Sequence, residues 1–533
     1  MNVACIPHSQ IPGTSPLFQD YLYRFDRVAR YYRHPPELAA ARAAAGEIGL
    51  PPDRRASLVK ALRAQNQGCC AETAGHLDAL GEPGTVAVAT GQQVGLFGGP
   101  ALALYKALSA IKIAAKLTED GLRAVPVFWL ATEDHDLAEV DHAWALGAEG
   151  EPVRLRSTGE ASLHQPVGGV NFADTGVAQL RSALEGLPFA DEALALVEPH
   201  YRDGATYGQA FKGFFRDVLG ERGLIFLDPM QREIRELSAP LVRRAIESAP
   251  ELTGALLERN GELEAAGYHR QVLVEDSTSL VFLVDEGKRL PLRRNDDSYS
   301  IGRRKFSSDE LISRLDSAPE SFSPNALLRP VVQDHLLPTV VYVGGPAELA
   351  YQAQSAVLYE RLLGRAPVLM PRSFVTLLDG TSTKLLERTG LSVPDCFAPS
   401  AQLQEKIAGR LTPPSLKRAF ETQGARLDQA LTELDGELAS FDQSLSDAFS
   451  RSRKKIAYQL EKMRAKAARE SLRRDERAAS EAHRLGQWLY PNRGLQERTL
   501  CYPALAAEFG PGLVESVYND IVPDCPDHQV LGY

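Results

Sequence analysis

Four polar residues stand in a row at the end of an apolar segment, Val125–Ala131. They are Glu133, Asp134, His135 and Asp136. Carboxylates and imidazoles act as general bases, and carboxylates also bind ammonium groups or ligate Mg²⁺. The alternative is that one acid caps the next helix while the others are solvated. The cluster exceeds what one cap needs, so we predict catalytic residues here, with His142 as a binding residue nearby.

A glycine-rich segment, Thr90–Pro100, lies between another apolar strand and a helix expected to begin at Pro100. Backbone amides and a helix N-terminus in such a segment can hold phosphate or carboxylate. The segment matches neither the Walker A nor the GxGxxG pattern, so a tight packing turn remains an alternative. Lys106 on the helix is expected to neutralise negative charge as a catalytic residue. The predicted binding residues here are Thr90, Gly91, Gln92, Gln93, Gly95 and Tyr105.

A third segment, Tyr342–Glu348, again joins a strand to a helix through paired glycines. The segment is either part of a binding site or a plain turn whose acidic residue interacts favourably with the helix dipole. Arg372 follows the next strand and is either an anion contact or a surface arginine. The predicted binding residues of this region are Gly344, Gly345, Glu348, Gln354 and Arg372.

Continuous apolar strands must position these segments. Runs of this kind, each next to a helical pattern, are typical of a parallel doubly wound α/β sheet, which binds ligands at the carboxyl ends of its strands. The sheet is therefore expected to be assembled from distant pieces of the chain. The runs are Val86–Ala89, Val125–Ala131, Gly223–Asp228, Thr339–Val343 and Val368–Met370.

The chain is expected to divide into three parts. Residues 1–400 form the α/β core, with insertions at about 151–200 and 265–325, the second containing a hairpin of Ser279–Val284 and Lys288–Leu292. Such insertions commonly line a binding site. Residues 489–533 are expected to pack back on the core.

Between these parts, the 414–488 region shows a heptad-like series of apolar residues. The spacing predicts two helical arms folded antiparallel, with the break near Ser440–Gln443. The apolar surface along these helices is larger than one helical hairpin can bury, so we predict a homodimer through this coiled coil.

Composition excludes several classes of protein. Hydrophobic residues make up 44% and charged residues 24%, as in ordinary folded proteins. The net charge of −10 argues against nucleic-acid binding. The sequence contains neither an HExxH nor a CxxC pattern, so a zinc site is not indicated. The six scattered cysteines fit a reducing cytoplasm. Neither a signal peptide nor an apolar run of membrane-spanning length occurs, so we expect a cytoplasmic protein without membrane contact.

Four motifs resemble a known family, the bacillithiol-biosynthesis cysteine-adding enzymes. They are TGQQVGLFGGPALALYKALSAIKIA (90–114), VPVFWLATEDHDLAEVDH (125–142), YVGGPAELAYQAQ (342–354) and YPNRGLQER (490–498). The resemblance implies a Rossmann-like parallel-sheet core with connecting-peptide insertions and a dimerising coiled-coil domain. It also implies that the enzyme joins cysteine to glucosaminyl-malate, and it adds Tyr490 and Asn492 to the predicted binding residues.

The expected activity is therefore an amide-forming ligase. Amide formation from a free carboxylate is uphill in water, so ATP is the expected nucleotide and Mg²⁺ a candidate companion ion, with adenylate and acyl phosphate both open. The alternative function is a non-catalytic nucleotide-binding scaffold that recruits thiol-pathway enzymes through the coiled coil.

Overall fold

The computed structural model describes residues 4–147, 150–295 and 298–533. The chain forms two compact units. The first consists of Met1–Ala148, Val153–Thr376 and Glu497–Leu531, and the second of Glu149–Pro152, Leu377–Gln496 and Gly532–Tyr533.

A five-stranded parallel sheet, here called the central sheet, lies at the centre of the first unit. Its spatial order is Val368–Pro371, Thr339–Gly344, Val86–Gln92, Ala124–Leu130 and Ile225–Leu227. Every residue of Ala124–Leu130 is buried, as expected of a parallel strand covered on both faces. The predicted α/β parallel sheet is confirmed.

Two element boundaries differ from the prediction. The strand expected at Gly223–Asp228 is only Ile225–Leu227, because Gly223 has a φ of 72° and the Asp228 carboxylate accepts a hydrogen bond from Met230 N (3.0 Å) in a turn. The helix expected from Pro100 begins at Leu102, since Pro100 forms an antiparallel bridge with Cys501.

Helices surround the central sheet within the first unit. Leu102–Glu119 buries two thirds of its length, including Lys106 and Ser109, because its sequence is apolar nearly all round. The other long helices are Pro52–Gln65, Ala71–Gly81, Tyr207–Leu219, Arg232–Glu247, Ala249–Ala265, Ser308–Ser317 and Pro346–Leu362.

An antiparallel sheet contains the predicted hairpin. Thr278–Asp285 pairs with Lys288–Asn295, and the connecting Glu286 and Gly287 both have positive φ, 49° and 77°. Two consecutive positive φ angles are typical of the tight hairpin turn that matches the twist of its strands. The remaining strands of this sheet are Ser298–Ile301, Arg304–Ser307 and Phe322–Pro324.

A smaller sheet of the first unit joins distant parts of the chain. Ala4–Ile6 pairs antiparallel with His528–Gly532, with Cys5 opposite Gln529. The strand that completes this sheet is Phe374–Leu378.

The second unit is helical. Its two longest helices, Pro414–Phe441 and Gln443–Arg473, lie antiparallel, since Asp435 contacts Ser446 (2.7 Å) and Asp428 contacts Arg453 (2.6 Å). Asp442 breaks the chain between them and caps the second helix by accepting from Ser444 N (2.7 Å). The predicted antiparallel coiled coil is confirmed. The flanking helices are Ser400–Leu411 and Glu476–Leu489.

Across the described ranges, none of the helices combines the length and apolar character needed to cross a membrane.

Candidate active site

A cavity of about 450 Å³ opens at the carboxyl ends of the central strands. It lies within the first unit, and its volume suits a small-molecule ligand. Gln92, Ala131, Gly345 and Arg372 all line it, and each stands at or just after the end of a different central strand. The cavity is therefore where a doubly wound sheet is expected to bind its ligand.

Lys106 connects the two glycine segments on one side of this cavity. Its ammonium group donates to Gly91 O (2.7 Å) and to Gln92 Oε1 (2.9 Å), and it forms an ion pair with Glu348 (2.6 Å). Burial lowers the pKa of Lys106, while Glu348 opposes that shift. The structure thus brings Lys106 together with the Thr90–Pro100 segment and the Tyr342–Glu348 segment.

Glu348 interacts with the start of its own helix and also lines the cavity. It accepts from Gly345 N (2.8 Å) at the start of its helix, and Tyr342 OH donates to its other oxygen (2.6 Å). The carboxylate also lines the cavity and pairs with Lys106. A helix-terminal acid can therefore be part of the site at the same time.

The acidic residues after Val125–Ala131 lie among three arginines. We call Glu133, Asp134, His135, Arg235, Arg289 and Arg329 the strand-end cluster. Glu133 is 1% exposed and accepts from Arg235 Nη2 (2.5 Å), and its other oxygen is 3.1 Å from Arg329 Nε. Burial alone would raise the pKa of Glu133, but the arginines outweigh it and the net shift is downward.

The other members of the strand-end cluster are also paired. Asp134 forms an ion pair with Arg329, which lines the cavity. Arg289 Nη1 donates to His135 Nδ1 (3.0 Å), and burial, followed by repulsion from Arg289, lowers the pKa of His135. Asp136 instead caps the short helix Leu137–Val140 by accepting from Ala138 N (3.1 Å).

Several predicted binding residues have structural contacts. Thr90 Oγ1 donates to Val343 O (2.8 Å) and joins two central strands. Gln354 is fully buried and holds Val272 by accepting from its N (2.9 Å) and donating to its O (2.9 Å). His142 Nδ1 lies 3.0 Å from its neighbour Asp141.

The remaining predicted residues fall in three places. Gln93 lines the cavity together with Gly91 and Gln92. Gly344 is the last residue of its strand, and Tyr105 is buried. Gly95 packs closely on Gly99, so that a Cβ added at Gly95 would lie 2.9 Å from the Cα of Gly99. Tyr490 and Asn492 belong to the second unit, Asn492 in the turn Pro491–Arg493 with a φ of 51°.

Arg372 is not a surface arginine. Its guanidinium donates two hydrogen bonds to Glu497 (both 2.6 Å), and the two side chains are 1% and 0% exposed. Val375 N donates to the same carboxylate (2.8 Å). Arg372 lines the cavity, but its charge is fully matched.

Arg498 lines the cavity but is not among the binding residues predicted from the sequence. It lines the cavity and is exposed there, and among the described residues no hydrogen-bond acceptor or carboxylate pairs with it. Desolvation, followed by repulsion from Arg372, lowers its pKa. Its position in the YPNRGLQER motif was the available signal, but the motif does not tell which of its two arginines faces a ligand.

Over the described parts of the chain, no group of three or more His, Cys, Asp or Glu side chains is arranged to hold a metal ion. The cations of the cavity fit an anionic group such as a phosphate or a carboxylate.

Comparisons with known proteins agree across both units. Residues 1–373 match the family model described as Bacillithiol biosynthesis BshC, N-terminal Rossmann-like domain, and residues 375–533 match the C-terminal coiled-coil domain. The chain is 48% identical to a protein of Solibacter usitatus named "Putative cysteine ligase BshC", covering 100% of both chains. Proteins with the same name from Koribacter versatilis and Salinibacter ruber are 38% and 31% identical, over 99% of this chain and 99% and 98% of theirs.

Proposed function

This chain belongs to the bacillithiol biosynthesis BshC family, and on that basis we propose that it ligates L-cysteine to glucosaminyl-malate to form bacillithiol. The bond formed is an amide between the cysteine carboxyl carbon and the amine of the glucosamine. ATP supplies the free energy by converting the carboxylate either to an acyl adenylate, with release of pyrophosphate, or to an acyl phosphate, with release of ADP. The amine then displaces AMP or phosphate from the carboxyl carbon and loses a proton, and Mg²⁺ is the companion ion of the nucleotide.

The unmatched guanidinium of Arg498 is the observation that carries this proposal. Its position in the cavity suits a substrate that brings its own negative charge, and the malate part of glucosaminyl-malate carries carboxylates. Of the three arginines that line the cavity, Arg372 is paired with Glu497 and Arg329 with Asp134, so a substrate carboxylate would form its charge-assisted hydrogen bonds with Arg498.

Lys106 is proposed to offset negative charge that develops on the activated carboxyl group. Its ammonium is held by three acceptors, so it is preorganised and needs little rearrangement. The strand-end cluster contributes through Arg329, the cluster member that lines the cavity, and Asp134 orients that guanidinium.

The direct test is product formation by the purified full-length protein. We expect a thiol product with the mass of bacillithiol from glucosaminyl-malate, L-cysteine and ATP with Mg²⁺, and none when any one substrate is left out. Failure to form thiol under any metal condition would overturn the ligase. Nucleotide binding without product would instead support the scaffold alternative.

We also propose that the coiled coil forms a homodimer. Leu427, Leu434, Phe441 and Leu445 are exposed large apolar side chains on the two long helices, and Phe441 is 83% exposed. A second copy is the simplest partner for an apolar seam of this kind. Replacing 414–488 by a short linker should give a monomer in sedimentation, and a dimer of that variant would refute this interface.

A further inference from the structure

Two cysteine thiols lie side by side in the first unit, and neither residue lines the cavity. Cys5, on the strand Ala4–Ile6, is exposed, and its Sγ is 3.6 Å from Cys525 Sγ. Both are free thiols. A disulfide has an S–S length of about 2.05 Å, so closing this pair needs a movement of roughly 1.5 Å.

The turn that carries Cys525 is held in place. The Gln529 side chain accepts from Val522 N (2.8 Å) and donates to Val522 O (3.1 Å), so it spans the turn. On the other side, Tyr23 OH donates to Asp527 (2.7 Å). Gln529 is also the strand partner of Cys5, so the same residue fixes the turn and faces the other thiol.

The remaining cysteines have different surroundings. Cys396 and Cys501 are buried, and burial raises the pKa of each to about 12, which keeps them as thiols. Cys70 accepts from Thr73 N (3.5 Å) as the cap of a helix, with Cys69 beside it in the chain. The Cys5 and Cys525 pair therefore combines close sulfurs with access from solvent.

We propose that Cys5 and Cys525 are a modification site, a dithiol that forms a reversible disulfide by exchange with low-molecular-weight disulfides. The Cys5 thiolate attacks one sulfur of the disulfide and releases one thiol. Cys525 then attacks Cys5 in the mixed disulfide and releases the second thiol. The protein loses two protons and two electrons, and the small disulfide gains them as two thiols.

The two cysteines have different roles in this exchange. Burial raises the pKa of Cys525 to about 11, whereas Cys5 is exposed, so Cys5 meets the small disulfide and Cys525 resolves the intermediate. The bond fastens Ala4–Ile6 to the turn before His528–Gly532. Strand ends of this kind open locally when nothing ties them down, so the disulfide suppresses that opening.

The test equilibrates the full-length protein in glutathione redox buffers, followed by acid quenching and mass spectrometry of non-reduced peptides. We expect a peptide linking residue 5 to residue 525, an intact mass lower by about 2 Da, and slower amide exchange at 4–6 in the oxidised protein. All three changes should reverse on reduction.

Three variants make the result specific. Cys525→Ser should accumulate a glutathione adduct on Cys5, because the resolving thiol is gone, and Cys5→Ser should form no linked peptide. The Cys69→Ser/Cys70→Ser double variant keeps the transition unchanged and is the matched control. Glutathione adducts without a linked peptide in the wild-type protein, or the same 2 Da loss in Cys5→Ser, would overturn the proposal. These outcomes do not depend on ligase activity.

Discussion

Two charged regions of the first unit differ in how their charges are matched. In the strand-end cluster, Glu133 and Asp134 are paired with Arg235 and Arg329. Arg498, in the same cavity as Arg329, has no carboxylate partner among the described residues. The density of charged residues in the sequence drew attention to the first region, whereas the unmatched charge of Arg498 is what we propose as the ligand contact.

The largest expected effect is the loss of product formation in two variants of the strand-end cluster, Asp134→Asn and His135→Ala. Asp134 holds the Arg329 guanidinium and His135 accepts from Arg289, so we expect either change to abolish product formation while the protein stays folded. The loss of stability should be about 1–3 kcal/mol. Activity and melting temperature are measured on the same samples. Near-normal turnover in both variants would remove the cluster from the catalytic residues.

Glu133→Gln should mainly affect stability. The substitution leaves Arg235, which is 5% exposed, without its counter-charge, and breaking a buried pair in this way costs about 3–5 kcal/mol. Urea denaturation measures the change. Asp78→Asn is the control, because Asp78 pairs with Arg63 at the surface and its loss should cost at most about 1 kcal/mol. Equal effects of the two substitutions would contradict the distinction between buried and exposed pairs.

Arg498→Ala should show the opposite behaviour, a loss of activity without a loss of stability. We expect kcat/KM for glucosaminyl-malate to fall roughly 30- to 150-fold, the equivalent of about 2–3 kcal/mol of a desolvated charge contact. Most of the effect should appear in KM. Arg498→Lys should recover part of it, and Arg123→Ala, at an exposed position, should change nothing. A stability loss as large as that of Glu133→Gln would show that Arg498 is structural.

The smallest expected effect is on the pH dependence of stability. It concerns His528, which lies near the matched pair of Arg372 and Glu497. Burial, more than repulsion from Arg372, lowers the pKa of nearby His528 to about 4, whereas an unfolded histidine titrates near 6.5. The unfolded state therefore binds the proton first, and stability is lost as the pH falls from about 6.5 towards 4. His528→Gln should flatten this decline in melting temperature. An unchanged slope would show that other groups cause it.

Much of the fold was predictable because its signals are local. The fully buried parallel strand Ala124–Leu130 is apolar throughout, and the Glu286 and Gly287 turn matches the hairpin. The break between the two coiled-coil helices falls at Asp442, inside the predicted range Ser440–Gln443. The predicted bounds Gly223–Asp228 were wrong, because turn geometry and not composition limits this strand to Ile225–Leu227.

The site was less predictable because its partners are distant in the chain. Arg235 and Arg329 lie 102 and 195 residues from the acids that they pair with. No spacing rule connects residues so far apart, so the pairing of these acids with arginines could not be expected from the sequence. Arg498 was missed for the same reason, since nothing local distinguishes it from Arg493 in its motif.

The pair of Arg372 and Glu497 also has a consequence for synthesis on the ribosome. The two residues are 125 positions apart, and the long segment Leu377–Gln496 of the second unit is translated between them. At about 5–20 residues per second, the nascent chain spends roughly 6–25 s with Arg372 made and Glu497 still missing. An unpaired buried charge is unfavourable, so Arg372 is expected to take its buried position only after Glu497 has been made. We therefore expect the packing around this pair to form late in synthesis.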